Sequence, residues 1–241
     1  MFFNYVMKGT ILQPTYLPWL GYFEMIDSSD LFVVFDHVQF VKKSWQQRNR
    51  IKTANGISIL TIPVQREGRN TRIADVKISY DRDNPLEKHW KTITLAYGKS
   101  KYFNDYSSYF EKIYSVKHVY LRDLNVAIIK QVCDLLHIKT KIIFSSKLDI
   151  SETEDKTENI ISLCEKVGIT SLYDAKGAEI FINKSLFEKS NINITFQSFN
   201  HPVYNQLWGE FVPQMSIIDL LFNEGDKSIE IIRCGRSKTT N

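Results

Sequence analysis

The chain reads as an α/β protein: a mostly parallel central sheet flanked by helices, with a β-hairpin inserted into it. Three observations predict that class. Short apolar runs alternate with stretches of helical periodicity along most of the 241 residues. One of those runs, LFVVF at 31–35, is apolar throughout, as a strand covered on both faces is. The segment RNRIKTANGISILTIPV carries Asn55-Gly56 between two β-prone runs, a strong hairpin signal.

The elements follow in order. Residues 9–12 form a short strand, 19–26 two turns of helix, and 31–35 the buried strand, together a right-handed βαβ unit. Ligands of such sheets bind beyond the carboxyl ends of the strands. Residues 13–16 and 36–40 both leave at that edge and are expected to meet there. In the hairpin, alternation puts Arg48, Arg50 and Lys52 on one face, Asn49 and Ile51 on the other. Helices are expected over 86–97, 102–116 and 120–136, the last with Leu124, Ile128, Val132 and Leu135 at helical spacing. A strand at 141–144 precedes a surface turn at 152–155 and a helix at 157–167 closed by Gly168. Then come a strand at 171–173, a mixed segment at 178–186 and a strand at 192–199. Ser216 and Asp219 are spaced as an N-cap and its acidic partner, so SIIDLLF opens a short buried helix. There is no repeat and no linker, which predicts one domain over 1–241.

With 43% apolar and 24% charged residues the chain can build a sizeable core. A net charge of +4 leaves room for an anionic ligand but supplies no basic stripe for nucleic acid. Cys133, Cys164 and Cys234 are scattered and odd in number, which points to a reducing compartment. No apolar run approaches the roughly 20 residues of a membrane span. The start, MFFNYVMKGTI, lacks signal-peptide features. Met7 is an alternative first residue, with 1–6 an upstream extension. The expectation is a soluble, cytoplasmic protein.

The chemistry gathers in two rigid aromatic segments, QPTYLPWLGYF and HPVYNQLWGEFVP. Tyr16, Trp19, Tyr22, Trp45, Tyr204 and Trp208 are suited to stack on a sugar or a nucleobase. Gln13, Gln39 and Asn49 are neutral donors and acceptors for hydroxyls or a base edge. Arg48, Arg50 and Lys52 could clamp a diphosphate; a solvated edge strand is the alternative. His201 and Asp36 are the candidate bases and Glu210 a third. Each has a structural alternative: a brace for the loop, a cap on the turn to Val38, or a salt bridge to a hairpin cation. His37 is a further candidate, whereas His89, His118 and His137 fall in or beside helices and connections and read as structural. The chain has no GxSxG, Walker loop, GxGxxG or metal-ligand set, and Cys164 lies on an apolar helix stripe. Acyl transfer to an amine needs no enzyme nucleophile. It needs a base, oriented substrates and a donor for the developing oxyanion.

Three motifs in order, QPTYLPWLGYF, DHVQFVKKSWQQRNRIK and HPVYNQLWGEFVPQMSIIDLLFNEG, resemble the WbqC-like proteins of bacterial polysaccharide gene clusters. The similarity runs from about Lys8 to Arg233. The resemblance implies work on O-antigen or a similar glycan, with transfer of an acyl or aminoacyl group, such as glycine, to an amino sugar that is nucleotide-linked. No cofactor is identified, but an activated acyl donor is then required. Asp174-Ala175-Lys176-Gly177-Ala178 departs from the family's Ser-Gly-Pro-Ala-Gly-like loop, although Lys176 and Gly177 suit an anion-facing turn. The opening also resembles the α/β nucleotidyltransferase class of pantothenate synthetase, but Pro18-Trp19-Leu20-Gly21 stands where that class has phosphate-binding histidines. An ATP-dependent carboxylate-activating ligase and a non-catalytic nucleotide-sugar binder are the alternatives.

Overall fold

The computed structural model describes residues 6–68, 70–150 and 153–237. Most of the proposed extension at 1–6, and Glu152 of the expected surface turn, lie outside them.

β1 (Lys8–Leu12) leads through α1 (Leu20–Asp27) to β2 (Leu31–Val34), which pairs parallel to it from Gly9↔Leu31 to Leu12↔Val34. The hairpin of β3 (Arg48–Thr53) and β4 (Gly56–Thr61) turns on Ala54 and Asn55, with Gly56 at φ +97° closing it where a side chain would be strained. β5 (Val64–Gln65) and β6 (Lys77–Ile78), which sequence reading missed, form a small antiparallel pair. Three helices follow: α2 (Pro85–Tyr97), α3 (Phe103–Ser115) and α4 (Leu121–Leu135). α2 starts where Asn84 accepts from the Leu86 and Glu87 amides, with Pro85 fixing the first turn.

The chain returns to the sheet with β7 (Lys141–Phe144), then α5 (Lys156–Val167), β8 (Ser171–Asp174), α6 (Lys184–Lys189) and β9 (Asn193–Phe196). Asp155 caps α5, and Gly168 ends it in the left-handed region at φ +79°. α7 (Ile217–Glu224) and α8 (Ser228–Cys234) close the fold. The short α8 went unseen in the sequence.

The five-stranded sheet runs β7-β2-β1-β8-β9 and is parallel throughout. Chain order reverses between β1 and β8, the switch point where such sheets open a crevice. Phe32 and Val34 join the larger core with α1, α4 and α7, while Leu31 and Val33 join the smaller one beneath α5 and α6. That two-sided burial is why LFVVF shows no alternation.

Two expectations need correction. Ser216 precedes α7 but makes no side-chain cap, and its buried Oγ has no hydrogen-bond partner. Asp219 turns inward instead, accepting from Tyr97, Tyr204 and Gln206. The strand expected over 192–199 stops at Phe196, after which the Gln197 amide reaches the Gly21 carbonyl and Glu24. Among the described residues no helix is long and apolar enough to cross a membrane.

Two buried groups set opposing pH dependences. Burial pushes the His89 imidazole down from 6.5 to about 4, so its contribution to stability is lost as pH falls from about 6.5 through 4. Burial raises the Asp174 carboxyl from 3.8 to about 6, so its contribution is present below about 4 and lost as pH rises through 6. At ~1.4 kcal/mol per pH unit each amounts to roughly 3 kcal/mol. The two largely cancel between pH 4 and 6. Asp174→Asn is therefore expected to exceed the unmodified protein by roughly 3 kcal/mol at pH 7, and to match it near pH 4. Urea denaturation at both pH values checks this; equal stability at pH 7 refutes it.

Candidate functional site

Beyond the carboxyl end of β1 the chain cannot continue as strand, because Pro14 and Pro18 interrupt it. Leu17 takes φ +45°, and the loop is pinned from three sides. Asn49 on β3 donates to the carbonyls of Tyr16 and Leu17. Asn125 on α4 donates to those of Pro14 and Gln46. The Tyr22 hydroxyl donates to the carbonyl of Gln13. A fourth tie fixes Tyr16 itself, whose hydroxyl shares hydrogen bonds with His89 Nδ1 (2.8 Å) and the Tyr114 hydroxyl (2.6 Å) at zero exposure. Tyr16 is thus a core residue, and its expected stacking role is corrected.

The late segment docks on this loop through backbone. Ser216 N donates to Arg50 O, Ile217 N to Pro18 O, and Trp19 forms an antiparallel bridge with Ser216. Between them lies a cavity of about 250 Å³ lined by Thr15, Trp19, Tyr22, Trp45, Asn49, Arg50 and Gln214. Five of these were named from sequence. Thr15 and Gln214 were missed, although both belong to the motifs that carried the resemblance.

Inside the cavity the Trp19 indole lies across Gly21, where a β-carbon would sit 2.3 Å from the ring. Trp45 is half-exposed, with the Arg50 guanidinium 5.7 Å from its ring centre. One Arg50 terminal nitrogen donates to both the carbonyl and Oε1 of Gln214, at 3.1 Å each. Its Nε is buried with no hydrogen-bond partner. An arginine so arranged keeps part of its donor fork for an anion.

The remaining candidates lie elsewhere. Asp36 is fully buried at the end of β2, accepting from Ser145 Oγ, Ser146 N, Ser146 Oγ and an Arg122 terminal nitrogen at 2.7–3.1 Å. Its carboxylate ties β7 and α4 to β2. The His201 ring lies between Trp19 and Tyr204, with burial lowering its pKa. Its Nδ1 faces the Pro202 carbonyl at 2.9 Å and its Nε2 accepts from Gln214 N at 3.0 Å, so both nitrogens are engaged.

Lys52 is 3% exposed, and its ammonium donates to Gln206 Oε1 and to the carbonyls of Gly209 and Glu210. It is a brace for the late loop, which corrects the expected three-cation clamp. Tyr204 is buried with its hydroxyl on Asp219, and the Trp208 indole donates to Ala96 O. Both are anchors outside the cavity lining. Glu210 is exposed, as is Gln39, which bridges Arg72 through backbone. Gln13 accepts from the Gln46 amide at 2.7 Å at the loop's edge. Arg48 is half-buried and outside the lining, and Lys176 is paired with Glu179 at the end of β8. Among the described residues no cluster of His, Cys, Asp or Glu is placed to hold a metal ion.

Comparison with known proteins places this geometry in a lineage. The chain is 32% identical over 229 residues to an uncharacterised protein of Mycobacterium tuberculosis, Rv1507c, covering 94% of this chain and 97% of that one. No solved structure matches. A model described as the WbqC-like protein family matches residues 13–231, which include both aromatic segments, the hairpin and every residue lining the cavity. The chain belongs to the WbqC-like protein family.

Proposed function

We propose that the protein acts in polysaccharide biosynthesis by binding a nucleotide-linked amino sugar, with one sugar-sized group in the cavity at the end of β1. The supporting observation is the pairing, in one pocket, of two indoles with an arginine whose buried Nε has no partner. Aromatic faces take the apolar side of a sugar ring, and a partly committed guanidinium takes an anionic oxygen. A volume of about 250 Å³ equals roughly eight waters at ~30 Å³ each. That accommodates one ring or an amino-acid-sized group, so the nucleotide of such a ligand extends outward past the exposed face of Trp45.

The reaction we attach to this site is transfer of an acyl or aminoacyl group, glycine among the candidates, to the sugar amine, as in O-antigen assembly. The second reading, a non-catalytic nucleotide-sugar binder, draws support from a specific observation. Asp36 and His201, the best-placed bases, both have their lone pairs engaged. Nothing comparable favours the ATP-dependent ligase.

Tryptophan fluorescence titration with UDP-N-acetylglucosamine and related nucleotide-linked amino sugars tests the binding. Trp45→Ala is expected to weaken the binding about tenfold, in line with the ~1–3 kcal/mol of a stacked ring, at nearly unchanged Tm because the side chain is half-exposed. Absence of binding across the panel refutes the site. Incubation with activated acyl donors and mass analysis of the sugar then separates the readings: a mass gain supports transfer, and binding without one supports the binder.

A further inference from the structure

The ring of His201 does not line the cavity, yet it touches the residue that holds the cavity's cation. Gln214 is the intermediary. Its backbone N–H donates to His201 Nε2, while its carbonyl and Oε1 both accept from Arg50. Gln214 also sits at φ +59°, a left-handed conformation that a residue with a side chain keeps only when its surroundings hold it.

We propose that His201 is a positioning residue whose unprotonated Nε2 locks Gln214, and that Gln214 in turn aims Arg50 at the anion of the bound ligand. The inference rests on the cavity being the binding site. The tautomer follows from the neighbours: Nδ1 faces a carbonyl and must carry the proton, so Nε2 is left as the acceptor. Adding a second proton at Nε2 sets two donors, ring N–H and Gln214 N–H, against each other. The lock opens, and Gln214 can leave its left-handed conformation together with both acceptors of Arg50.

The rings packed against His201 are uncharged, and the acid behind them, Asp219, is told apart by following the His201 ring itself. Trp19, Phe199 and Phe211 around the ring are neutral aromatics. Tyr204 stacks on it with its hydroxyl on Asp219, and burial raises the pKa values of both that phenol and that carboxyl. Lys52 lies behind them, held by Gln206 and the Glu210 carbonyl, and Arg50 stands beyond Gln214. Burial holds the His201 pKa below its ordinary 6.5, so the lock is closed at pH 7 and opens on acidification.

Two measurements on the full chain test the relay. First, in a pH titration followed by NMR, the Arg50 Nε resonance and the Gln214 amide are expected to move with the midpoint of the His201 ring, below 6.5. Gln214→Ala keeps the backbone N–H and carbonyl of the relay and removes only Oε1, so it should reduce the Arg50 response while His201 still titrates. Second, affinity for inorganic phosphate and for UDP-N-acetylglucosamine is expected to fall about tenfold or more through the same midpoint, as loss of a charged hydrogen bond implies. His201→Gln, which offers an amide oxygen near the Nε2 position but takes up no proton, should bind as the unmodified protein does at pH 7 and stay flat with pH. His201→Leu should bind weakly at all pH values.

An Arg50 resonance indifferent to His201 titration overturns the proposal, as does pH-dependent binding that persists in His201→Gln. If neither probe binds at any pH, the cavity reading fails, while the resonance titration still decides the relay.

Discussion

Asp36→Ala is expected to destabilise the protein by about 2–4 kcal/mol, because several donors at a buried joint lose their acceptor at ~1–3 kcal/mol for each one left unsatisfied. The carboxylate has no exposure and accepts four hydrogen bonds, one from Arg122, whose side chain is 21% exposed. Removing it leaves that guanidinium with Asp123 alone and takes the acceptor from the buried Ser145 hydroxyl and the Ser146 donors at the joint between β2, β7 and α4. A loss of this size is a large share of the about 5–15 kcal/mol that holds a domain folded. Urea denaturation measures it. Asp36→Asn keeps the shape and some acceptor capacity, and is expected to lose less. A base would behave otherwise, since both variants would remain near full stability and lose turnover together. If Asp36→Ala unfolds within about 0.5 kcal/mol of the unmodified protein, the structural role described here is wrong.

Lys52→Met is the second large effect, about 2–4 kcal/mol, because buried neutral acceptors lose a charged donor. Methionine fills most of the same volume, so the loss isolates the ammonium. Without it the carbonyls of Gly209 and Glu210 and the Gln206 oxygen lose a donor, and the Asp219 carboxylate loses a nearby positive charge. Desolvation already raises the Asp219 pKa, so a lost cation leaves that group still less able to ionise. Gln206 carries the consequence onward, since it also bonds Tyr204, Asp219 and both polar groups of Val212. The segment from His201 to Gln214 should therefore loosen as a unit. Hydrogen exchange mapped by peptide is expected to rise there first, and ligand binding to weaken along with stability. Rising exchange in the hairpin alone, with the late segment unchanged, would contradict this account.

Much of the fold can be read from single residues because the cause is local. The apolar run at 31–34 needs cover on both sides wherever it lies. Gly168 can adopt the left-handed turn that ends α5, and Asn84-Pro85 starts a helix by itself. That the loops after β1 and β2 leave at one edge of the sheet was also legible, since parallel strands deliver their loops to a common edge. Side-chain destinations were legible only in part. Alternation put Lys52 on the same face of β3 as Arg50, and it could not say that the late loop covers one and leaves the other beside a cavity. Tyr16 and Trp19 are three residues apart in one rigid motif, yet the turn at Leu17 buries the first and sends the second to the lining.

The sequence by itself determined the class of fold, the hairpin, most of the helices and the family to which the chain belongs, because propensity, periodicity and motif order act over a few residues at a time. Only the tertiary structure decided which polar groups are free. A carboxylate or imidazole is available for chemistry when its lone pairs are unclaimed. The claimants here, Ser146 and Arg122 on Asp36 and the Gln214 amide on His201, come from segments up to 110 residues away.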